Sequence, residues 1–479
     1  MTERRPRSRT APSQRPRLGD PARDTAYQAL RAVAEGAYAN LELPRLLREA
    51  RLSGRDAAFA TELTYGTVRM RGLYDPVIAL ASRRPVHHID APVLDVLRLG
   101  THQLLAMRVP DHAAVSATVA LARGRTGQGS GGFVNAVLRR VGERTRDEWM
   151  AQVTEPIQDP WERLAVQHSH PVWIVRALRA ALIGHGVSTP NTVTNDLGAV
   201  LQAQNTPGPL TLAARPGLGA EAELEEGGAR PAPTAATAWT LDSGDPGALA
   251  PVRDGRAAVQ DAGSQLVTLA LLAAPVDGDQ GRWLDLCAGP GGKAGLLAAA
   301  ARQLGARLTA VEVSEHRAGL VRQTLRAAVA AGAEVEVRVQ DGRAVGAESP
   351  DSFDRVLVDA PCTGLGALRR RPEARWRRSP ADLTELGPLQ RDLLGSAMSA
   401  LRSGGVAAYA TCSPHVAETR LVVADVVKRV PGVEVVDVRG LLQDRAGLVL
   451  PHTGAGPGAQ LWPHLHGTDG MFIALLRKT

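Results

Sequence analysis

From residue 256 onward the sequence alternates between a two-residue and a 3.6-residue hydrophobic period, and this alternation narrows its fold more than any other feature. Strand-like segments recur as RWLDL, RLTAVEV, EVEVRV, FDRVLVDA, GVAAYAT, VEVVDV and MFIALLRK, with helical stretches KAGLLAAAARQLG and HRAGLVRQTLRAAVAAG between the early ones. Strand, crossover helix, strand predicts an α/β domain with a parallel sheet covered on both faces. Ligands in such sheets bind beyond the carboxyl ends of the strands, where strand order switches. Four acids fall at those ends, Asp285, Glu312, Asp341 and Asp359, and so do Cys287, Cys362 and Cys412. These are the only three cysteines in 479 residues, and their placement points to chemistry rather than core filling.

Upstream the pattern is helical. Ala26, Leu30, Val33 and Ala34 recur at helical spacing, as do Val93, Leu94, Leu97, Leu104 and Leu105, and Phe133, Val134, Val137 and Leu138 in GGFVNAVLRRV. Such stripes predict core. HPVWIVRALRAAL continues with another helix, entered through Pro171. From about 200 the texture changes: TPGPLTLAARPG reads as a short strand between turns, and GLGAEAELEEGGARPAPTAATA as a mobile low-complexity loop. The expected division is a disordered Arg-rich tail at 1–19, a helical domain at 20–150, a small α+β linker subdomain at 151–255 and the α/β domain at 256–479.

Composition removes several classes. Unpaired cysteines without a C-x-x-C pair or a Cys/His cluster exclude a disulfide framework and structural zinc, and imply a reducing, cytoplasmic setting. The basic N-terminus has no apolar segment behind it, so it does not read as a signal peptide. No apolar run approaches the roughly 18 residues a membrane span needs. The net charge of +7 is concentrated in two arginine islands, residues 1–17 and 369–378, each holding six arginines and one acid. Two such islands on a near-neutral body predict a polyanionic partner, nucleic acid first. The first island reads equally well as a solubilising tail.

DLCAGPGGK, following a strand and opening a helix, predicts a nucleotide site formed by Cys287, Ala288, Gly289, Pro290, Gly291, Gly292 and Lys293. Glu312 ends the next strand, where an acid can take both ribose hydroxyls. The turn matches neither the dinucleotide G-x-G-x-x-G nor the Walker pattern, so the expected ligand has an adenosine ribose without a pyrophosphate. S-adenosylmethionine fits that description. Asp341 could take the adenine amino group, and Asp359 lines the same strand ends; a helix N-cap is the plain alternative for each acid.

Three separated motifs, DLCAGPGGK, VDAPCTG with the arginine-rich stretch after it, and ATCSPHVAE, occur in order over 256–479 and resemble those of RNA (cytosine-5)-methyltransferases. The helical region before them resembles a NusB-like RNA-binding domain. The combination is similar to the 16S ribosomal RNA (cytosine-5)-methyltransferase B group, the Sun or Fmu type. The resemblance implies a Rossmann-like S-adenosylmethionine-dependent methyltransferase domain, preceded by the NusB-like domain and the small linker subdomain. Glu312 departs from the group's more usual aspartate, and GPGG replaces the commoner APGG. The implied reaction is methyl transfer to carbon 5 of a cytosine in RNA, 16S ribosomal RNA first. A transfer-RNA cytosine methyltransferase and a non-catalytic RNA-binding assembly factor are the alternatives. The protein is expected to act as a monomer without metal.

Carbon 5 of cytosine is a poor nucleophile until a thiolate adds to carbon 6 and turns the ring into an enamine. Spacing does not choose the attacking cysteine. The resemblance assigns attack to Cys412, product release to Cys362 and a hydrogen bond to the cytosine to Asp359. Reaching carbon 6 requires an unstacked cytosine. RNA contact is expected from LRRRPEARWRR, with Arg369, Arg370, Arg371, Arg375, Arg377 and Arg378 on phosphates. Trp376 either stacks a base or packs under a helix.

Overall fold

The computed structural model describes residues 19–446 and 449–479, so the expected tail, Gly19 apart, lies outside the described residues. The chain divides into two compact units. One holds the described residues to Val172 together with Arg371–Glu373, and the other holds Trp173–Arg370 and Ala374–Thr479.

The first unit is helical, running from Pro21–Ala34 to Pro160–Gln167. Local chemistry sets its helix starts: Asp20 accepts from the amides of Ala22 and Arg23 ahead of a first-turn proline. Thr145 and Glu148 form a reciprocal capping box before Arg146–Thr154. Ala26, Leu30, Val93, Leu94, Leu97, Val134, Val137 and Leu138 are buried as expected. Val33, Leu104, Leu105 and Phe133 are only half-buried and Ala34 is exposed. Ala34, Leu104 and Leu105 lie in the last turns of their helices, where the apolar stripe runs past its partners. The Arg84 guanidinium sits 5.2 Å over the Phe133 ring.

The second unit contains two sheets. The smaller is antiparallel, ordered β2-β3-β1-β4, from β1 (Leu210–Ala214), β2 (Ala229–Pro231), β3 (Ala238–Leu241) and β4 (Ala257–Val259). It corrects the expectation of a mobile loop over 217–238. That stretch supplies β2, the helix Glu221–Glu226 and the first residue of β3, with Leu224 and Ala229 buried in one cluster with Leu212, Trp239 and Leu241 of the neighbouring strands. Its alanines gave no visible periodicity, and a few large side chains anchor it.

The larger sheet is ordered β10-β12-β9-β8-β5-β6-β7, with β11 paired to β12. Its strands are β5 (Arg282–Asp285), β6 (Arg307–Glu312), β7 (Glu334–Val339), β8 (Phe353–Asp359), β9 (Leu401–Thr411), β10 (Val433–Val436), β11 (Ala459–Gln460) and β12 (Phe472–Lys478). The strands β5 to β9 pair in parallel and β12 is antiparallel to β9. β8 is buried along nearly its whole length, as a central strand with helices on both faces must be. Chain order runs outward through β6 and β7 on one side of β5 and through β8 and β9 on the other. The switch point therefore falls between β5 and β8. No helix among the described residues is long and apolar enough to cross a membrane.

Candidate active site

The glycine turn leaves β5 and enters the helix Gly292–Leu304. Leu286 N–H donates to Leu357 O at 2.8 Å and Ala288 N–H to Val311 O at 2.9 Å, fastening the turn to both neighbouring strands. Gly291 has φ +112°, and a Cβ there would lie 2.8 Å from Cβ of Thr324, so only glycine fits. The Gly289–Pro290 peptide is cis.

Around this turn stand the predicted acids. Lys293 Nζ donates to Asp359 Oδ2 at 2.7 Å. Glu312 is almost fully buried, its carboxylate accepting from Gly289 N–H at 3.1 Å and Ser314 N–H at 3.0 Å, with Arg317 at 3.3 Å. Asp285 is also buried: Oδ1 accepts from Cys287 N–H at 3.3 Å, while Oδ2 is enclosed with no partner. Burial, and then the charge of Asp359, push its carboxyl up to about 7. Asp341 caps the helix Gly342–Glu348 through Arg343 N–H at 3.0 Å and pairs with the Arg343 side chain, which lowers its pKa. The N-cap alternative thus describes its contacts here.

The cysteines of the P-C and T-C motifs meet. Their loops leave adjacent parallel strands, β8 and β9, and Sγ of Cys362 lies 3.4 Å from Sγ of Cys412. The neighbouring Cys412 thiol, and then burial, hold Cys362 well above the usual thiol range. The Cys362 loop is seated closely: Gly366 N–H donates to Cys412 O at 2.9 Å, and a Cβ on Gly366 would fall 2.1 Å from Gly470 O. Cys287 stands apart from this pair in the glycine turn, its thiol pushed up first by burial and then by Asp285.

The arginine island is not one solvent-facing surface. Arg369 is buried, its guanidinium 3.0 Å from both Asp261 and Asp469. Arg370 pairs with Asp469, and Arg375 is fully buried, donating to Asn205 Oδ1 at 2.7 Å and Gln204 O at 2.6 Å. Arg371 is exposed and belongs to the helical unit, 6.0 Å over the ring of Tyr38. Trp376 and Arg377 are half-buried, as is Arg378, which pairs with Asp382 and approaches Cys362 O at 3.5 Å. Glu418, the last residue of the ATCSPHVAE motif, has no role that the sequence pattern announces. It bonds to residues beside both cysteines.

A mixed sheet with a parallel core, a glycine turn and acids at successive strand ends, beside a thiol pair, defines an S-adenosylmethionine-dependent methyltransferase. The model of the 16S rRNA methyltransferase RsmB/F family matches residues 270–477, and that of the NusB family matches 20–143. The chain belongs to the RsmB/F family of 16S ribosomal RNA methyltransferases. It is 52% identical over 479 residues, 99% of either chain, to the putative methyltransferase MT1451 of Mycobacterium tuberculosis. It is 31% identical to ribosomal RNA small subunit methyltransferase B of Escherichia coli, over 95% of this chain and 98% of that one. The crystal structure of PH0851 superposes with a TM-score of 0.76 at 20% identity, covering 96% of this chain and 99% of that one, and shares the fold.

The site suits the cofactor on its own chemistry. Asp359 pairs with Lys293 and Glu312 with Arg317, while Asp285 beside them has, among the described residues, no paired cation and one buried oxygen without a donor. S-adenosylmethionine brings a sulfonium, an ammonium and ribose hydroxyls, so it supplies both positive charge and donors. Because Asp285 must ionise to serve a cation, cofactor affinity is expected to rise from pH 6 to 8, and Asp285→Asn to flatten that rise in calorimetric titrations. Stability moves the opposite way. A carboxyl whose folded pKa is raised stabilises fully below its unfolded value near 4, and that contribution is lost as pH rises toward about 7. Denaturant unfolding without cofactor should show this decline in the parent and not in Asp285→Asn.

Proposed function

We propose that this chain methylates carbon 5 of a cytosine in RNA, 16S ribosomal RNA being the expected substrate, with Cys412 as nucleophile. The observation that carries the reading is the 3.4 Å approach of Cys362 and Cys412 over the ends of β8 and β9. Methylation of a nitrogen or oxygen needs no thiol, whereas carbon 5 needs one thiolate to enter and a second group to assist its departure.

When bound, S-adenosylmethionine supplies an electrophilic methyl group; the residues to hold it are the turn Cys287–Lys293 with Asp285, Glu312 and Asp341. The remaining work belongs to the protein. The Cys412 thiolate adds to carbon 6, and its charge and that of the Arg370 guanidinium attract one another. Asp359, oriented by Lys293, hydrogen-bonds the cytosine and stabilises its protonated ring during addition. After methyl transfer the proton on carbon 5 must pass to a base as the Cys412–carbon 6 bond breaks and the Cys412 thiolate departs; Cys362 assists this elimination, which frees the product. The cytosine must leave its stack to reach these groups. Within the catalytic unit, phosphate contacts fall to Arg377 and Arg378, with Trp376 as the stacking candidate. Of the arginine island, Arg371 is exposed and lies in the helical unit.

Mapping 5-methylcytosine in ribosomal and transfer RNA from cells with and without the protein tests the reading. One 16S position is expected to lose its mark completely. Loss confined to transfer RNA would replace the substrate, and no loss anywhere would leave an RNA-binding assembly role.

A further inference from the structure

We propose that Glu418 is a positioning residue whose buried carboxylate keeps the Cys362 and Cys412 loops in register for their separate steps; this rests on the cytosine-5 reading above. The strand pairing of β8 with β9 ends at Ala360 N–H on Ala410 O, at 2.9 Å; beyond it Gly366 N–H reaches Cys412 O and the Thr363 and Ser413 hydroxyls lie 3.1 Å apart, and the residues next to the thiols take further ties. Glu418 provides one on each side. Its Oε1 accepts from Thr363 N–H at 2.7 Å and Gln390 Nε2 at 3.2 Å. Its Oε2 accepts from Ser413 Oγ at 2.6 Å and from the Thr363 hydroxyl. Thr363 follows Cys362 and Ser413 follows Cys412, so a single carboxylate spans the residues next to both thiols.

Its surroundings argue for this role over a merely structural one. Glu418 is 0% exposed, and no basic side chain among the described residues pairs with it. Burying a carboxylate without a cation is costly, and apolar packing would hold two loops together at less expense. What apolar packing cannot supply is direction: four donors converging on two oxygens fix both loops at once. The charge has a secondary consequence. After the Cys412 contact and burial, Glu418 also disfavours ionisation of Cys362, which suits a thiol that must not compete as nucleophile.

Glutamine in this place would retain the geometry. Its carbonyl would serve the two obligate N–H donors, and its amide would donate to the hydroxyls, which can reverse. The test is steady-state methylation of 16S RNA by the full chain. Glu418→Ala is expected to lower kcat about 100-fold, with KM for RNA and cofactor affinity nearly unchanged. Glu418→Gln should recover most of the loss. Wild-type kcat in the alanine variant, or a glutamine variant as impaired as alanine, would overturn the proposal. If Glu418→Ala does not fold, the Thr363→Val/Ser413→Ala pair must show the same split between kcat and KM, and wild-type kcat there would equally overturn it. Cys412→Ala run alongside separates the two levels. A covalent adduct persisting without Cys412 sinks the nucleophile assignment, whereas its loss together with an unimpaired Glu418→Ala sinks only the positioning role.

Discussion

Replacing Cys412 with alanine is expected to lower methylation by at least about 10³-fold and to leave no RNA covalently attached, because no other route activates carbon 5. Replacing Cys362 with alanine should do something different. Attack on carbon 6 still proceeds, elimination stalls, and a protein–RNA adduct accumulates that survives denaturing electrophoresis. The two thiols lie 3.4 Å apart and share nearly one environment, so the experiment separates them by step rather than by place. If the Cys412 variant is the one that traps RNA, the roles are reversed. Cys287→Ala, by contrast, removes a thiol that stands outside the pair, and should neither trap RNA nor abolish turnover.

A second large effect concerns stability. Arg369→Ala leaves Asp261 and Asp469 as buried carboxylates with one cation fewer, and is expected to cost about 3–5 kcal/mol in denaturant unfolding. The salt dependence of RNA binding by the remaining folded protein should stay as in the parent. Arg377→Ala and Arg378→Ala should behave oppositely, with nearly unchanged stability and a shallower decline of RNA affinity with salt, by about one unit of slope for each phosphate no longer neutralised. A stable Arg369→Ala protein with a flattened salt response would return Arg369 to the RNA surface.

The contrast within one ten-residue stretch shows where local pattern stops being informative. Six arginines around one acid read as a solvent-facing polyanion site, because the partners of Arg369 lie 100 and 108 residues away in the chain. Arg375 is likewise satisfied by Asn205 and the Gln204 carbonyl, which no local pattern announces. The 217–238 stretch failed in the other direction: alanine-rich composition read as a mobile loop, while Leu224 and Ala229 pack against Leu212, Trp239 and Leu241 of the adjoining strands and anchor it to a sheet. Glu418 lies in plain view at the end of the T-C motif. Its meaning depends on Thr363, Ser413 and Gln390 converging, and only folding brings them together.

What the sequence determined by itself was the alternation of strand and helix, the glycine turn, and the arrival of acids and cysteines at strand ends. Those follow from hydrophobic period and backbone sterics, which act over a few residues. The tertiary structure decided which of those groups meet and which charges face water. The distance between two thiols, the partner of a buried carboxylate and the desolvation of an arginine all depend on what packs from the other side, and that side is contributed by remote parts of the chain.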